Sequence, residues 1–322
     1  MLALMLMMVA VDLGPVVERH DVPAITIAAV DGSGEVLLQN QTGVTHAGGE
    51  PVDADSLWHV GSCTKAMTAL LAATCVRDEL IDWDTTAGDV LPDLADTPIA
   101  DVTLQQLLTN TSGIVDPPGD IAFMRGLDGP LREQRLAFLD FLGEQPHDAG
   151  GYAYSNGGFV LAGALLEAVT DEAWEVLMAE RLFEPLGITT AGFGPPPNGH
   201  PRGHLDGESF DPVDPMADNP QLAGPAGTVH MSAVDFAKIA AVHIRGPLAA
   251  KLDLPHDAWD VLHTPIEESY AAGLIVVEQP WTNGTAFTHS GSNTLWFATM
   301  WIVPGRDVAV VVCTNVMNDA AA

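Results

Sequence analysis

The chain has 322 residues, and its 43 acidic and 12 basic side chains give a formal net charge of −31. Because 47% of the residues are hydrophobic, this composition is typical of a folded protein and excludes a disordered one. A surface of this charge repels phosphate, which excludes nucleic acid as a partner. Since the chain has only three lysines, we expect adaptation to high salt, which screens self-repulsion; an ordinary acidic cytoplasmic protein is the alternative.

The chain begins with an apolar run over residues 1–11, which is too short to span a membrane and lacks the basic start of a signal peptide. We expect a buried terminal helix and a cytoplasmic protein, with an atypical export signal as the alternative. No later segment reaches 18 uninterrupted apolar residues, so we predict no membrane span. Cys63, Cys75 and Cys313 have no CxxC spacing and are predicted to be free buried thiols.

The first predicted elements are two strands, Ala24–Asp31 and Glu35–Gln39, which flank a Gly-rich hairpin turn. The residues from Ser62 to about Val76 leave almost no polar face, which indicates a helix buried on most sides. Helical patterns then continue between Pro and Gly clusters. They cover Leu104–Leu108, Leu131–Leu142, Phe159–Val169 and Trp174–Phe183.

The proline-rich stretch Gly194–Pro225 is predicted to be a lid or a wall of a site rather than a simple connection. A helix is predicted over Ser232–Ile244, and strand patterns return after it. These strands are Ala272–Glu278, Thr285–His289, Leu295–Val303 and Asp307–Thr314. Strands at both ends with helices between them predict one sheet built from the two termini, with a helical region inserted.

The predicted buried helix opens with Gly61-Ser62-Cys63-Thr64-Lys65, where three-residue spacing puts Ser62 and Lys65 on one face. The backbone N–H of Ser62 lies at the positive end of the helix, where an oxyanion is stabilised. Burial lowers the pKa of a lysine, so that a neutral Lys65 amine can accept the serine proton. The alternative is that Ser62 only caps the helix and Lys65 reaches water.

Two short motifs occur although chance predicts fewer than one match for each. Ten Ser and three Lys in 322 positions predict about 0.1 SxxK matches, and one occurs. Three Tyr and nine Asn predict about 0.08 YxN matches, and Tyr154-Ser155-Asn156 is one. A tyrosine beside Lys65 can carry the proton, and the Asn156 amide can orient Lys65 and the substrate.

These motifs, in this order, resemble the serine β-lactamase, penicillin-binding protein and related esterase superfamily, in its Tyr-x-Asn, class C-like branch. The third element of that pattern, (K/H)-x-G on a late strand, is His289-Ser290-Gly291, followed by Ser292-Asn293. An HxG triplet alone carries no weight, because about one is expected by chance. Other segments look like the same family, and the resemblance covers most of Val22 to Asn315. They are Val60-Gly61-Ser62, Leu107 to Gly113, Gly224-Pro225-Ala226-Gly227 and Cys313-Thr314-Asn315.

The resemblance implies a mixed α/β fold, with an antiparallel sheet flanked by helices beside an all-helical domain and the site in the cleft between them. We expect residues 1–78 and 226–322 to form the sheet domain, and 79–225 the helical one, with a lid-like loop over 194–225.

The resemblance also implies the roles of the site residues. Ser62 would form an acyl-enzyme, with Lys65 and Tyr154 as general bases. Asn156 would contact substrate, as would His289 and Gly291. The backbone N–H groups of Ser62 and Ser292 would form the oxyanion hole.

One departure from the family pattern concerns the substrate. His289 stands where β-lactamases and peptidases commonly have Lys, and a neutral imidazole is a weaker anchor for a carboxylate. With the net charge, this favours a carboxylesterase acting on small neutral esters or lactones. The alternatives are a β-lactamase, a D-Ala-D-Ala carboxypeptidase or D-aminopeptidase, or a penicillin-binding sensor that keeps its adduct.

A second departure is that the chain ends eight residues after Thr314, where the family usually has a long helix. We therefore expect one face of the sheet to be covered by Met1–Val17 or by another subunit, and the second case predicts a homo-oligomer.

We expect no cofactor and no metal. His200 and His204 are four residues apart, but they lie in a proline-rich loop, where this spacing does not place two side chains on a common face. Asn110, Thr111 and Ser112 are interpreted as a structural turn.

Overall fold

The structure is a computed structural model that describes residues 11–145, 147, 151–267 and 269–317. Most of the predicted run 1–11 therefore lies outside the described residues. Twelve strands are present in the described part of the chain. They are β1 (Ala24–Val30), β2 (Val36–Gly43), β3 (Leu57–His59), β4 (Gly192–Phe193), β5 (His204–Leu205), β6 (Glu208–Ser209), β7 (Val229–Ser232), β8 (Tyr270–Ala271), β9 (Leu274–Glu278), β10 (Thr285–Ser292), β11 (Phe297–Val303) and β12 (Val308–Thr314).

The largest sheet has seven antiparallel strands in the order β2-β1-β12-β11-β10-β9-β8. It joins the two ends of the chain, because β1 pairs with β12 over Ile25–Thr314 to Val30–Ala309. The β1–β2 hairpin forms where the sequence predicts it. Asp31 Oδ1 accepts from the backbone N–H of Ser33 at 2.8 Å and of Glu35 at 3.0 Å, which closes the turn.

Twelve α-helices are described, most of them between β3 and β7 or against the large sheet. They are α1 (Gly14–His20), α2 (Thr64–Arg77), α3 (Ala87–Val90), α4 (Leu104–Leu108), α5 (Asp120–Arg125), α6 (Leu131–Gly143), α7 (Asn156–Thr170), α8 (Trp174–Met178), α9 (Glu184–Leu186), α10 (Gly224–Gly227), α11 (Ala233–Val242) and α12 (His256–His263). Every residue of α2 from Thr64 to Cys75 is buried, as its sequence predicts. The mixed α/β fold class is confirmed, whereas the domain boundaries remain a prediction.

One predicted helix is interrupted. The sequence predicts a continuous helix over Trp174–Phe183, but α8 ends at Met178 and Ala179–Phe183 is a π-helix that leads into α9. Pro185 follows this segment and has no N–H to donate to the carbonyl four residues earlier. The hydrogen-bond ladder therefore changes its period ahead of the proline.

A small sheet, β3-β7-β4, is not predicted by the sequence, since its strands have only three, four and two residues. Strands this short do not show an alternating pattern. This sheet positions the nucleophile motif: β3 ends at His59, and the next amide, Val60 N, donates to Val229 O at 2.9 Å. The chain then passes through the short turn Gly61–Cys63 into α2.

The two faces of the large sheet are covered unequally. Along β12, Ala309, Val311 and Cys313 are buried in the main core, while Val308, Val310 and Val312 are half-buried. The second face carries a small cluster in which Leu13 and Val17, at α1, pack with Ile25 and other strand residues. Part of this face is thus covered by the start of the described chain, and a homo-oligomer remains a prediction.

The three cysteines are free and buried, as predicted. Within the described ranges, no helix is both long and apolar enough to cross a membrane.

Candidate active site

Ser62 lies in a one-turn 3₁₀ helix, Gly61–Cys63, between β3 and α2. Gly61 has φ +51°, and a Cβ there would lie 2.4 Å from the backbone nitrogen of Ser292. Both the left-handed backbone and the close approach require glycine. The Gly61-Ser62 dipeptide therefore holds the start of the helix against the end of β10.

Gly291 makes the same contact from the other side. A Cβ on this residue would lie 2.2 Å from Val60 O and 2.6 Å from the backbone nitrogen of Ser62. The backbones of β10 and of the nucleophile turn are thus packed directly against each other. This brings Ser62 and Ser292 to the lining of one pocket.

Lys65 is fully buried, and its amine lies among three oxygen atoms. Nζ is 2.8 Å from Asn156 Oδ1, 2.8 Å from Ala226 O and 3.3 Å from Ser62 Oγ. Burial lowers the pKa of Lys65 to about 7, although the Asp116 carboxylate opposes this shift. The neutral amine is therefore well populated near neutral pH.

The neutral amine has two N–H groups and one lone pair. Asn156 Oδ1 and Ala226 O can only accept, so both N–H groups go to these two oxygens. The lone pair is then directed toward the third neighbour, Ser62 Oγ, which can donate its proton. The site thus holds a base beside a potential nucleophile.

Asn156 is the first residue of α7, and its orientation is fixed by Asp116. Asp116 accepts from Asn156 N at 2.8 Å, Asn156 Nδ2 at 3.0 Å, Gly157 N at 2.8 Å and Ser155 Oγ at 2.7 Å. Because Nδ2 donates to Asp116, the amide oxygen must face Lys65. The sequence gives no signal for Asp116, which lies 40 residues before the helix that it caps.

Tyr154 is hydrogen-bonded to Ser62 and is 40% exposed at the pocket wall. Loss of water around its phenol raises the pKa of Tyr154 well above the ordinary value, and the bond with Ser62 opposes this. Its position is set by Asn110, which accepts from Ala153 N at 2.8 Å and from Ser155 N at 3.2 Å. The interpretation of Asn110 as a plain turn thus missed its contacts on both sides of Tyr154.

His289 lies behind the pocket. Its Nδ1 is 2.6 Å from the carbonyl oxygen of Gly273, so Nδ1 must carry the proton and donate. Burial, together with the nearby Lys65, lowers the pKa of His289 to about 4, although the hydrogen bond to Gly273 opposes this shift. The imidazole is therefore neutral at pH 7 and supplies no positive charge.

The pocket beside Ser62 has a volume of about 260 Å³. Its described lining contains no lysine, arginine or histidine; it consists of Ser62, Ile121, Met124, Tyr154, Asn156, Asn219, Ala223, Ala226, Gly227 and Ser292. Of the predicted site residues, His289, Gly291 and Lys65 lie outside this described lining, so substrate contact by His289 and Gly291 stays a prediction. A cavity of this composition suits a small uncharged group.

A sequence profile of the beta-lactamase family matches residues 13–322. The chain belongs to the beta-lactamase family. Its similarity to penicillin-binding protein 4 of Amycolatopsis lactamdurans is 30% identity, over 92% of this chain and 82% of that protein. As a family member, the chain is a serine hydrolase, which confirms the class of enzyme expected from the motifs.

Two further relatives broaden the comparison. The lovastatin esterase of Penicillium rubens is 27% identical over 67% of this chain, which spans 59% of that esterase. The solved structure of the D-alanine carboxypeptidase AmpC from Burkholderia cenocepacia has a TM-score of 0.77 at 21% identity, covering 96% of this chain and 95% of that one. This structural likeness shows the fold, and the specific activity is a matter for proposal.

Proposed function

We propose that the protein is a carboxylesterase that hydrolyses small neutral esters or lactones through an acyl-enzyme on Ser62. The observation that carries this proposal is the Lys65 lone pair, which two fixed acceptors direct toward Ser62 Oγ. The neutral substrate class is supported by the small pocket without cationic residues and by the neutral His289 behind it.

In the proposed acylation, Ser62 Oγ attacks the carbonyl carbon and its proton moves to Lys65 Nζ. The carbonyl oxygen becomes an oxyanion that accepts from the backbone N–H groups of Ser62 and Ser292. The C–O bond to the alcohol then breaks, and the proton returns from Lys65 by way of the Tyr154 hydroxyl to the leaving alkoxide. Asn156 holds the base and faces the substrate.

Deacylation repeats these steps with water. Tyr154 and Lys65 take a proton from water as its oxygen attacks the acyl carbon, and the proton passes to Ser62 Oγ as the acyl bond breaks. The products are the free serine and a carboxylic acid, which releases its proton to solvent and becomes a carboxylate. A site that cannot place this water would stop at the acyl-enzyme.

The test compares a short-chain p-nitrophenyl ester with a chromogenic cephalosporin in high salt, using the wild type and Ser62→Ala. Turnover of the ester alone, abolished in Ser62→Ala, is the expected result. Turnover of both, or of the cephalosporin alone, would favour a β-lactamase. Undiminished ester turnover by Ser62→Ala would remove the nucleophile assignment.

The second candidate is a penicillin-binding protein, which the similarity to penicillin-binding protein 4 favours. It predicts a stable mass adduct with penicillin and no release. Peptides that end in D-Ala-D-Ala and D-amino-acid peptides are assayed in the same way. We expect no turnover of them, because these substrates carry charges that this pocket lining does not match.

A further inference from the structure

Asp218 is a buried carboxylate that the proposed reaction does not use. It lies in the stretch predicted to form the lid and is 8% exposed. Three nitrogen atoms surround its Oδ1: His59 Nε2 at 2.9 Å, Asn293 Nδ2 at 2.8 Å and the backbone nitrogen of Asn219 at 2.7 Å. Its other oxygen is buried and has no hydrogen-bond partner among the described residues.

The first of these contacts leads to the nucleophile turn. His59 is fully buried, and its Nδ1 accepts from Gly61 N at 3.1 Å. Nδ1 therefore bears the lone pair and Nε2 the proton. Nε2 lies 2.9 Å from Asp218 Oδ1, an electrostatic contact that does not have the alignment of a hydrogen bond. Through His59, Asp218 is connected to the residue that precedes Ser62.

The second contact leads to the other side of the proposed oxyanion hole. Asn293 follows Ser292, and its Oδ1 accepts from Leu295 N at 3.2 Å and from Trp296 N at 3.1 Å. Because those bonds use the oxygen, the amide nitrogen is left to donate to Asp218. Asp218 thus fixes the residue that follows the second oxyanion donor.

The third contact leads to the pocket wall. Asn219 lines the pocket, and its Nδ2 donates to Gly227 O at 3.3 Å. Arg125, at the end of α5, donates to the carbonyl oxygen of Asp218 at 2.7 Å, which ties this part of the lid stretch to the helical region. One carboxylate oxygen therefore joins three parts of the site that are distant in sequence.

We propose that Asp218 is a positioning residue of the oxyanion hole, which holds the amides of Ser62 and Ser292 at their working separation through His59 and Asn293. This inference rests on the proposed function. An oxyanion hole acts on the transition state, so a change in its geometry lowers kcat rather than substrate binding.

The experiment replaces Asp218 with Ala and with Asn in the full chain and measures hydrolysis of a short-chain p-nitrophenyl ester. Asp218→Ala is expected to lower kcat at least about tenfold while KM changes by less than about threefold. Asp218→Asn keeps an acceptor at the Oδ1 position and is expected to recover kcat to within about threefold of the wild type.

A short alkyl boronic acid gives a second readout, since its tetrahedral serine adduct places an oxygen in the oxyanion hole. Its inhibition constant is expected to rise in Asp218→Ala by the factor that kcat falls. Asp235→Ala is the matched control: Asp235 is also a buried carboxylate, accepting from Thr189 N, Thr190 and Lys238, but lies outside the site. It is expected to lose stability and keep kcat.

If Asp218→Ala does not fold, His59→Asn carries the test, because the shorter amide can accept from Gly61 N but does not reach Asp218. The inference is overturned by any of three results in Asp218→Ala, or in His59→Asn where that variant replaces it. These are a kcat within twofold of the wild type, an unchanged inhibition constant for the boronic acid, and an effect confined to KM. Ser62→Ala is measured in parallel. Activity in Ser62→Ala means that the proposed function fails, whereas inactivity there with full activity in Asp218→Ala means that only this inference fails.

Discussion

Replacing Asp116 by Asn should move the pH dependence of catalysis toward acid. Lys65 must be neutral to accept the Ser62 proton, so kcat/KM is expected to rise with pH through about 7. This rise is the acid limb of the pH profile. Tyr154 does not cause it, because the pKa of its phenol is raised above the ordinary value. The negative charge of Asp116 favours the protonated form of Lys65 and so keeps its pKa higher than burial alone would.

The size of the shift follows from the path between the two charges. Lys65 Nζ is 2.8 Å from Asn156 Oδ1, and Asn156 Nδ2 is 3.0 Å from Asp116. The charges are therefore at most about 8 Å apart, and at that upper limit their attraction is about 2 kcal/mol for an effective dielectric constant of about 20. Removing it lowers the pKa of Lys65 by roughly 1.5 units, and the limb moves down by that amount.

The assay is kcat/KM for a short-chain p-nitrophenyl ester from about pH 5 to 9, at fixed high salt. Asp120→Asn is the control, because it removes the same charge from the neighbouring helix α5 without a bond to Asn156. Loss of the α7 cap costs Asp116→Asn about 1 kcal/mol of stability, which thermal denaturation will show. A limb that stays in place or moves to higher pH would refute the assignment of Lys65 as the base.

Four further outcomes are expected. Thermal unfolding midpoints rise from low to molar salt; equal midpoints would contradict salt adaptation. In the buried pair His243 and His263, Nδ1 of the first lies 3.0 Å from Nε2 of the second, and both pKa values are lowered, that of His263 to about 4. The free energy of unfolding therefore falls as the pH drops from 6.5 toward 4. His263→Gln should reduce this loss, as measured by urea unfolding at a series of pH values. Gly291→Ala reduces kcat/KM at least about a hundredfold, because its Cβ would lie 2.6 Å from Ser62 N, whereas Ser290→Ala has little effect. Light scattering in molar salt shows an oligomer; a single monomer peak would exclude one.

Much of the sheet could be predicted because its strands show their pattern locally. β1 and β12 are β-rich runs bounded by turn residues, and the Asp31 turn closes as its composition indicates. The three-residue β3 could not be predicted, since so short a strand has no period and forms only through pairing with β7. Its position is nevertheless what places Ser62.

The candidate site divides in the same way. Ser62 and Lys65 stand out because lysine is scarce and a lysine on a buried helix needs a reason. Asp116 and Asp218 do not stand out, because the chain has 43 acidic residues and these two lie in irregular segments without a periodic pattern. Their roles depend on contacts between distant parts of the chain, which no local pattern records.

The absence of a cationic side chain from the described pocket lining also affects what happens after the reaction. The proposed ester hydrolysis converts an uncharged substrate into a carboxylate, and the described pocket lining has no positive side chain to retain it. The net charge of −31 repels the new anion as it forms. We therefore expect the acid product to leave quickly and to inhibit weakly, and the enzyme to work against high concentrations of its own product.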